Sequence, residues 1–169
     1  NASDVIRILD REGKIVFDTA SSSRALGYPP DYTLGKSPFD FIHPDDHARI
    51  RDALSEVFQR TNPGIPTEFR IRRADGTYTW VESIGKNLIG VPGVDGIVVT
   101  TRFIDERKHG EEALRISEEN YRLLFERATE GIIIVQDGRI VHANPMFQKL
   151  LGHPLEVITS RPFTEFLHP

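Results

Sequence analysis

The stretch FRIRRADGTYTWV, residues 69–81, decides the centre of the fold. Apolar and charged side chains alternate from Phe69 to Arg72, and a period of two predicts a strand with one buried face. Asp75-Gly76 follows, and an Asp-Gly pair between two such segments is a strong signal of a tight hairpin turn. The stretch therefore predicts two antiparallel strands joined at Asp75-Gly76.

The segments on either side of this hairpin extend the pattern. A further strand is expected from Gly96 to Ile104. Before the hairpin, Pro44 begins a helix with acidic residues in its first turn, and we expect this helix to end at residues 62–64. Another hairpin is expected at residues 5–17. The order of two strands, helices and three strands predicts an α+β fold with a five-stranded sheet.

The sequence also repeats itself. A shift of 125 residues superposes residues 5–44 on residues 130–169 without a gap, and ten of the forty pairs are identical. Such self-similarity marks two copies of one folding unit, so a hairpin is expected at residues 132–141. The second copy stops at Pro169, and we expect a partial unit whose apolar hairpin packs on the first unit or on a second chain. The identical pairs are Ile8 with Ile133, Gly13 with Gly138, Ile15 with Ile140, Val16 with Val141, Leu26 with Leu151, Gly27 with Gly152, Pro29 with Pro154, Phe41 with Phe166, His43 with His168 and Pro44 with Pro169.

Composition excludes several classes of function. The formal net charge of -4 argues against a basic nucleic-acid footprint. No apolar run approaches the roughly 18 residues of a membrane helix, so no membrane partner is expected in this stretch. The chain has no cysteine, which removes thiol chemistry and fits a cytoplasmic origin. Asn1-Ala2 resembles the remnant of a cleaved tag, so we expect an excerpt of a longer protein.

Residues 105–129 predict a helix that connects the two copies. Asp105 is suited to the N-cap, and helix formers follow it. The spacing is three and four residues, as in a short coiled-coil seam, along Leu114, Ser117, Tyr121, Leu124 and Ala128. Two interpretations stay open: the helix pairs with a second copy of itself, or it packs on its own domain.

Together these segments resemble the PAS superfamily, in particular the bacterial type with a C-terminal PAC motif. The resemblance implies a five-stranded antiparallel sheet with short helices on one face, used as a sensor or dimerisation module ahead of a histidine kinase or a cyclic-dinucleotide enzyme. It divides the chain into a PAS domain at 1–104, a helical connector at 105–129 and the N-terminal half of a second PAS repeat at 130–169. The residues that carry it are LGY at 26–28, FIHPDD at 41–46, FRIRRADGTYTWV at 69–81, ERK at 106–108 with EEAL at 111–114, and SEENYRLLF at 117–125.

One triplet departs from the family pattern. The family commonly has Asp-Ile-Thr at the end of the last strand, where this chain has Phe103, Ile104 and Asp105. In the family that Asp pairs with a basic residue and couples the domain to the helix. Phe103 puts this coupling in doubt, although Asp105 is suited to cap the helix.

The resemblance places a small-molecule pocket between sheet and helices. Candidate lining residues are Phe41, Leu54, Phe58, Phe69 and Trp80. The alternative is that these side chains simply fill an apolar core, as aromatic and aliphatic residues at these spacings usually do.

No cofactor, metal site or catalytic residue is expected. His43 and His47 are four residues apart, but no carboxylate motif completes a metal site, and a role in the turn at Pro44 explains His43. Haem is disfavoured because its axial histidine belongs further along the helix, near Arg51. Flavin-thiol photochemistry is excluded because its cysteine is missing. The sequence thus predicts a non-enzymatic sensory module, with a ligand-free protein interaction and dimerisation module as the alternative and a homodimer in either case.

Overall fold

The computed structural model describes residues 4–59 and 64–160, which divide into two compact units between His109 and Gly110. The predicted end of the long helix at residues 62–64 and the last part of the repeat, residues 161–169, lie largely or wholly outside this description. The strands of the first unit are β1 (Val5–Leu9), β2 (Ile15–Asp18), β3 (Thr67–Arg72), β4 (Tyr78–Asn87) and β5 (Ile97–Phe103). Its helices are α1 (Ala20–Leu26) and α2 (His47–Gln59), with 3-10 turns at Pro38–Asp40 and Pro44–Asp46, and α3 (Asp105–Arg127) continues into the second unit.

The five strands form one antiparallel sheet in the order β2-β1-β5-β4-β3, which confirms the predicted fold class. The hairpin quoted above joins β3 to β4, with Phe69 opposite Val81. Gly76 in its turn has φ 87, a conformation that glycine adopts without strain. The last strand then enters the middle of the sheet, where Ile97 lies opposite both Leu9 and Asn87.

The core of the first unit lies between α2 and one face of this sheet. Alternation along the strands directs Leu9, Phe69, Val81 and Ile97 to that face, and all four are buried. Val57 and other apolar residues of α2, spaced three or four apart, complete the core. Each such side chain contributes roughly 1.5 to 3 kcal/mol by leaving water, so this burial stabilises the packing of α2 on the sheet.

The second unit repeats the start of the first. Its hairpin consists of β6 (Ile133–Gln136) and β7 (Arg139–Ala143), and α4 (Pro145–Leu151) and α5 (Leu155–Ser160) follow. Ile140, Ala143 and Ile158 form its small buried core. Asn144 is fully buried and caps α4.

Candidate functional site

A cavity of about 90 Å³ lies between α2 and the inner face of the sheet. Its lining is mostly apolar, and Ile65, 77% exposed, marks where it reaches the surface. From α2 and the segments beside the sheet it is lined by Pro38, Ile42, Ile50, Ala53, Leu54, Val57 and Ile65. From the strands it is lined by Leu9, Thr67, Phe69, Ser83, Gly85 and Val99.

Gly85 is what keeps this space open on the β4 side. A Cβ at this position would lie 3.2 Å from both methyl carbons of Val57 on α2. Any larger residue would therefore occupy the space between helix and strand. The missing side chain lets α2 approach the sheet closely while a small void remains beside it.

Two hydroxyl groups are the polar features of the described lining. Ser83 lies opposite Thr67 on β3 and opposite Thr101 on β5, so three hydroxyl residues stand in a row across neighbouring strands. The Ser83 and Thr101 hydroxyls are buried and 2.7 Å apart. Thr67 donates its hydroxyl to the carbonyl of Ile65.

The five residues predicted to line a pocket divide between several places. Leu54 and Phe69 line the cavity. Phe58, together with Leu54, lines a different depression near the first hairpin, and Phe41 is buried in the core against Tyr28. Trp80 lies on the opposite face of the sheet.

Ser83, Gly85 and Val99 were not among the predicted lining residues. The signal for Ser83 and Gly85 was the period of two, because every second residue after Val81 on β4 faces the same side as Val81, and Val99 lies opposite Gly85 on β5. Ser83 and Gly85 are small and individually unremarkable, so only the strand register identifies them.

On the opposite face, Trp80 lies between two cations. The guanidinium of Arg70 is 5.5 Å and the ammonium of Lys108 5.1 Å from its ring centre, within the range of cation–π attraction. Lys108 and Arg107 also contact the carboxylate of Glu68 at 2.5 and 2.8 Å. Hydrogen bonds from Lys108 and then Arg107 lower the pKa of Glu68.

Asp105 ties the start of α3 to the same hairpin. Its carboxylate accepts hydrogen bonds from the Trp80 amide at 2.9 Å, from Arg73 at 3.3 Å and from the Thr79 hydroxyl. The prediction of an N-cap at Asp105 needs correction, since Asp105 is the first residue of the helix and its described partners belong to the hairpin. An aspartate therefore contacts a basic residue of the hairpin from a position two residues after Phe103.

A buried carboxylate links α2 to β3. Asp46 accepts from the Arg70 side chain and amide, each at 3.0 Å, and from Arg49 at 3.1 Å. Burial would raise the pKa of Asp46, but the hydrogen bonds from Arg70 and Arg49 outweigh it and hold this pKa below the ordinary value. Arg49 also donates to the backbone carbonyl of Glu68, so α2 is connected to the strand that contacts α3.

The histidine pair has local partners. Nδ1 of His43 accepts from the Asp45 amide at 3.2 Å, and Nε2 of His47 is 3.0 Å from the Ile42 carbonyl oxygen. Among residues 4–59 and 64–160 no three His, Asp or Glu side chains are grouped as metal ligands.

A wider depression of about 560 Å³ lies in the second unit where α3 leads into β6. Leu124, 74% exposed, forms part of its wall. This is a shallow surface depression with little to enclose a ligand.

Among the helices of residues 4–59 and 64–160, none combines the length and the apolar character that a membrane span requires.

Comparison with known proteins gives two family matches. The family described as PAS fold matches residues 14–94, and the family described as PAS domain matches residues 119–169. Together they take in more than three quarters of the chain and confirm the resemblance. The unmatched stretch between them, residues 95–118, contains β5 and the first part of α3.

Several proteins are similar to this chain. Sporulation kinase E of Bacillus subtilis is 27% identical over 150 residues, which are 88% of this chain and 20% of the kinase. White collar 1 protein of Neurospora crassa is 34% identical over 85 residues, 50% of this chain and 7% of that protein. The chain thus spans a fifth or less of the length of these curated relatives.

Solved structures share the fold. A sensory box histidine kinase/response regulator from Burkholderia thailandensis superposes with a TM-score of 0.56 at 28% identity, covering 72% of this chain and 92% of that one. The PAS-B domain of Drosophila melanogaster Cycle, with bound ethylene glycol, gives a TM-score of 0.54 at 22% identity, covering 59% and 98%.

Proposed function

Because this chain belongs to the PAS domain superfamily, with a second copy of the domain following the first, we propose that its first unit is a sensor that binds a small molecule and passes the signal into α3. The cavity beneath α2 carries this proposal. It is concave and mostly apolar with a few polar groups, as small-molecule sites usually are. The proposal assigns no catalytic step to these residues.

The described contacts supply a route from the cavity to α3. Leu54 and Val57 of α2 line the cavity, and Arg49 at the start of α2 donates to the Glu68 carbonyl. The carboxylate of Glu68 in turn holds Arg107 and Lys108 in the first turn of α3. A ligand that shifts α2 would therefore move a strand bound to α3, which is the differential contact that a two-state switch needs.

Asp105 gives the same relay a second attachment. Its bonds to Arg73 and to the Trp80 amide fix the start of α3 on the β3–β4 hairpin. Helix and hairpin are thus held at two places, through Glu68 and through Asp105. We infer that the ligand signal leaves the domain as a change in the orientation of α3.

The alternative is a module that binds no ligand and joins two copies of the protein. The observation that favours it is the exposed apolar seam of α3, where Leu114 is 61%, Tyr121 55% and Leu124 74% exposed. Their spacing suits a two-helix interface. A homodimer through this seam is compatible with both functions, so ligand content separates them.

Native mass spectrometry of the whole chain, compared with its denatured mass, tests both candidates at once. The sensor predicts a small copurified or added mass that is lost in Gly85→Ala, since the new methyl group occupies the cavity. A ligand-free dimer that Leu114→Ser/Leu124→Ser converts to monomer supports the alternative. A bound mass that survives Gly85→Ala would contradict the proposed site.

A further inference from the structure

We propose that the cavity is selective for small neutral molecules with a short apolar body and a single hydroxyl group, and that Ser83 recognises this group. The inference rests on the proposed sensory function and names its ligand class. It is carried by three features of the cavity: its volume, its row of hydroxyls and the absence of charge from its described lining.

The volume sets the size of the ligand. An apolar cavity of about 150 Å³ accommodates benzene, so a cavity of about 90 Å³ holds roughly four non-hydrogen atoms. That size corresponds to a molecule such as 1-propanol. Flat aromatic cofactors and sugars are several times too large for it.

The hydroxyl row sets the polar group. Ser83 and Thr101 share one hydrogen bond of 2.7 Å in which either oxygen can be the donor. If Thr101 donates, Ser83 keeps a proton to offer to the cavity, and if Ser83 donates, it keeps lone pairs to offer. A ligand hydroxyl both donates and accepts, and it therefore matches Ser83 in either arrangement.

The position of Ser83 also limits the number of polar groups. It faces an otherwise apolar wall that includes Phe69 and Val99, and the Thr67 hydroxyl already donates to Ile65. A second ligand hydroxyl would have only the lone pairs of the Thr67 oxygen to bond, and a third would be buried without a partner, which is unfavourable. A carboxylate would be buried without a cation among the described lining residues.

The experiment is a two-dimensional NMR titration of the whole chain with four probes: xenon, 1-propanol, glycerol and propionate. Xenon reports the cavity alone, because it makes no hydrogen bonds. We expect xenon and 1-propanol to shift the amide signals of Ser83, Gly85 and Val99, and glycerol and propionate to bind at least tenfold more weakly than 1-propanol.

Ser83→Ala tests the recognition directly. Loss of one neutral hydrogen bond should weaken 1-propanol binding three- to tenfold and leave xenon binding intact. Thr100→Val is the matched control, since Thr100 is next to Thr101 on β5 but on the other face of the sheet, and it should change neither. Gly85→Ala keeps the hydroxyls and narrows the cavity, so it should reduce the binding of both probes. It tests the cavity independently if Ser83→Ala does not fold.

The outcomes separate this inference from the proposed function. If 1-propanol binds equally well to Ser83→Ala, or if propionate or glycerol binds as tightly as 1-propanol, the ligand class is wrong while the sensory cavity stands. If neither xenon nor 1-propanol shifts these signals, the cavity admits no ligand, and both the inference and the sensor are overturned.

Discussion

The corner where the first helix meets the first hairpin is built differently in the two copies of the repeat. In the first unit it is polar and buried: Arg7 pairs with Asp18 at 2.9 Å, and Ser22 and Thr33 add hydrogen bonds of 2.8 Å each. A shift of 125 residues places apolar side chains at all four positions of the second unit. They are Ile132, Ala143, Phe147 and Ile158.

This exchange shows that the repeat replaces a polar cluster with apolar side chains at the aligned positions. Ala143 and Ile158 belong to the buried core of the second unit, where they leave water as apolar groups do. The first unit instead removes two charges from water, and their mutual attraction offsets only part of that cost. Oδ1 of Asp18 is buried and accepts no hydrogen bond from the described residues, so the polar corner is also imperfectly satisfied.

The largest effect should follow from removing one charge of the polar corner. Asp18→Ala leaves the guanidinium of Arg7 buried without its partner, and we expect a loss of about 3 to 5 kcal/mol in the free energy of unfolding. Urea denaturation followed by the fluorescence of Trp80, the sole tryptophan, measures it. Arg102→Ala is the control, because its ion pair with Asp4 is exposed and should matter far less. An equal loss in both variants would show that burial of the Arg7 pair is energetically unimportant.

The second unit has its own buried polar residue, and it should rank next. Asn144 accepts hydrogen bonds from the amides of Phe147 and Ile132 and donates one to the Glu130 carbonyl. Asn144→Ala therefore leaves two backbone N–H donors and one backbone carbonyl without their partner. We expect a loss of about 2 to 3 kcal/mol, more than an ordinary cap substitution. Methyl NMR of Ile140 and Ile158 during urea titration reads this unit separately.

Thr19, which the shift of 125 residues aligns with Asn144, is the matched control. Thr19 accepts from the Ile6 amide but makes no side-chain cap to α1. Thr19→Ala should therefore lose only about 1 kcal/mol, read from the Ile97 and Ile15 methyl signals. Equal losses of unfolding free energy in the two variants would mean that the hydrogen bonds of the Asn144 side chain stabilise its unit no more than the single hydroxyl of Thr19 stabilises the first unit.

The sequence predicted the strands well because alternation and Asp-Gly turns are local signals. It could not place β5 between β1 and β4, since that pairing joins Ile97 to residues almost ninety positions earlier, and local periodicity carries no such information. The cavity was anticipated only at Leu54 and Phe69. Phe69 lies opposite Val81, so the parity of β4 already assigns Trp80 to the other face together with Arg70.

The same limit applies to the polar corner. Arg7 and Asp18 are separated by a hairpin, and nothing in their local sequence distinguishes a buried pair from two surface charges. The repeat did contain the signal, because their counterparts Ile132 and Ala143 are apolar. Comparing the two copies position by position, rather than each alone, would have marked these positions as buried.

A double substitution tests whether the two corners are interchangeable. Arg7→Ile/Asp18→Ala copies two residues of the second unit and removes both charges together. Because no unpaired charge remains, it should be more stable than Asp18→Ala alone by about 2 kcal/mol. A double variant no more stable than the single one would show that packing around Arg7, and not its charge, holds the corner together.

The smallest effect concerns acid, which acts on ion pairs and not on the apolar corner. The Asp46 carboxyl has a pKa below its ordinary value because Arg70 and Arg49 bond its charged form more strongly than burial opposes it. A depressed pKa contributes stability that is fully present above the unfolded value, about 3.9, and is lost as the pH falls through the folded value. Lowering the pH from 6 to 3 should therefore reduce the urea midpoint of the first unit more in the wild type than in Asp46→Asn, so the two curves converge.

The Ile140 and Ile158 signals should respond less than that of Ile97, since the core of the second unit has no ionisable member. Parallel curves for wild type and Asp46→Asn would show that this carboxylate adds nothing to the acid sensitivity that sets the two units apart.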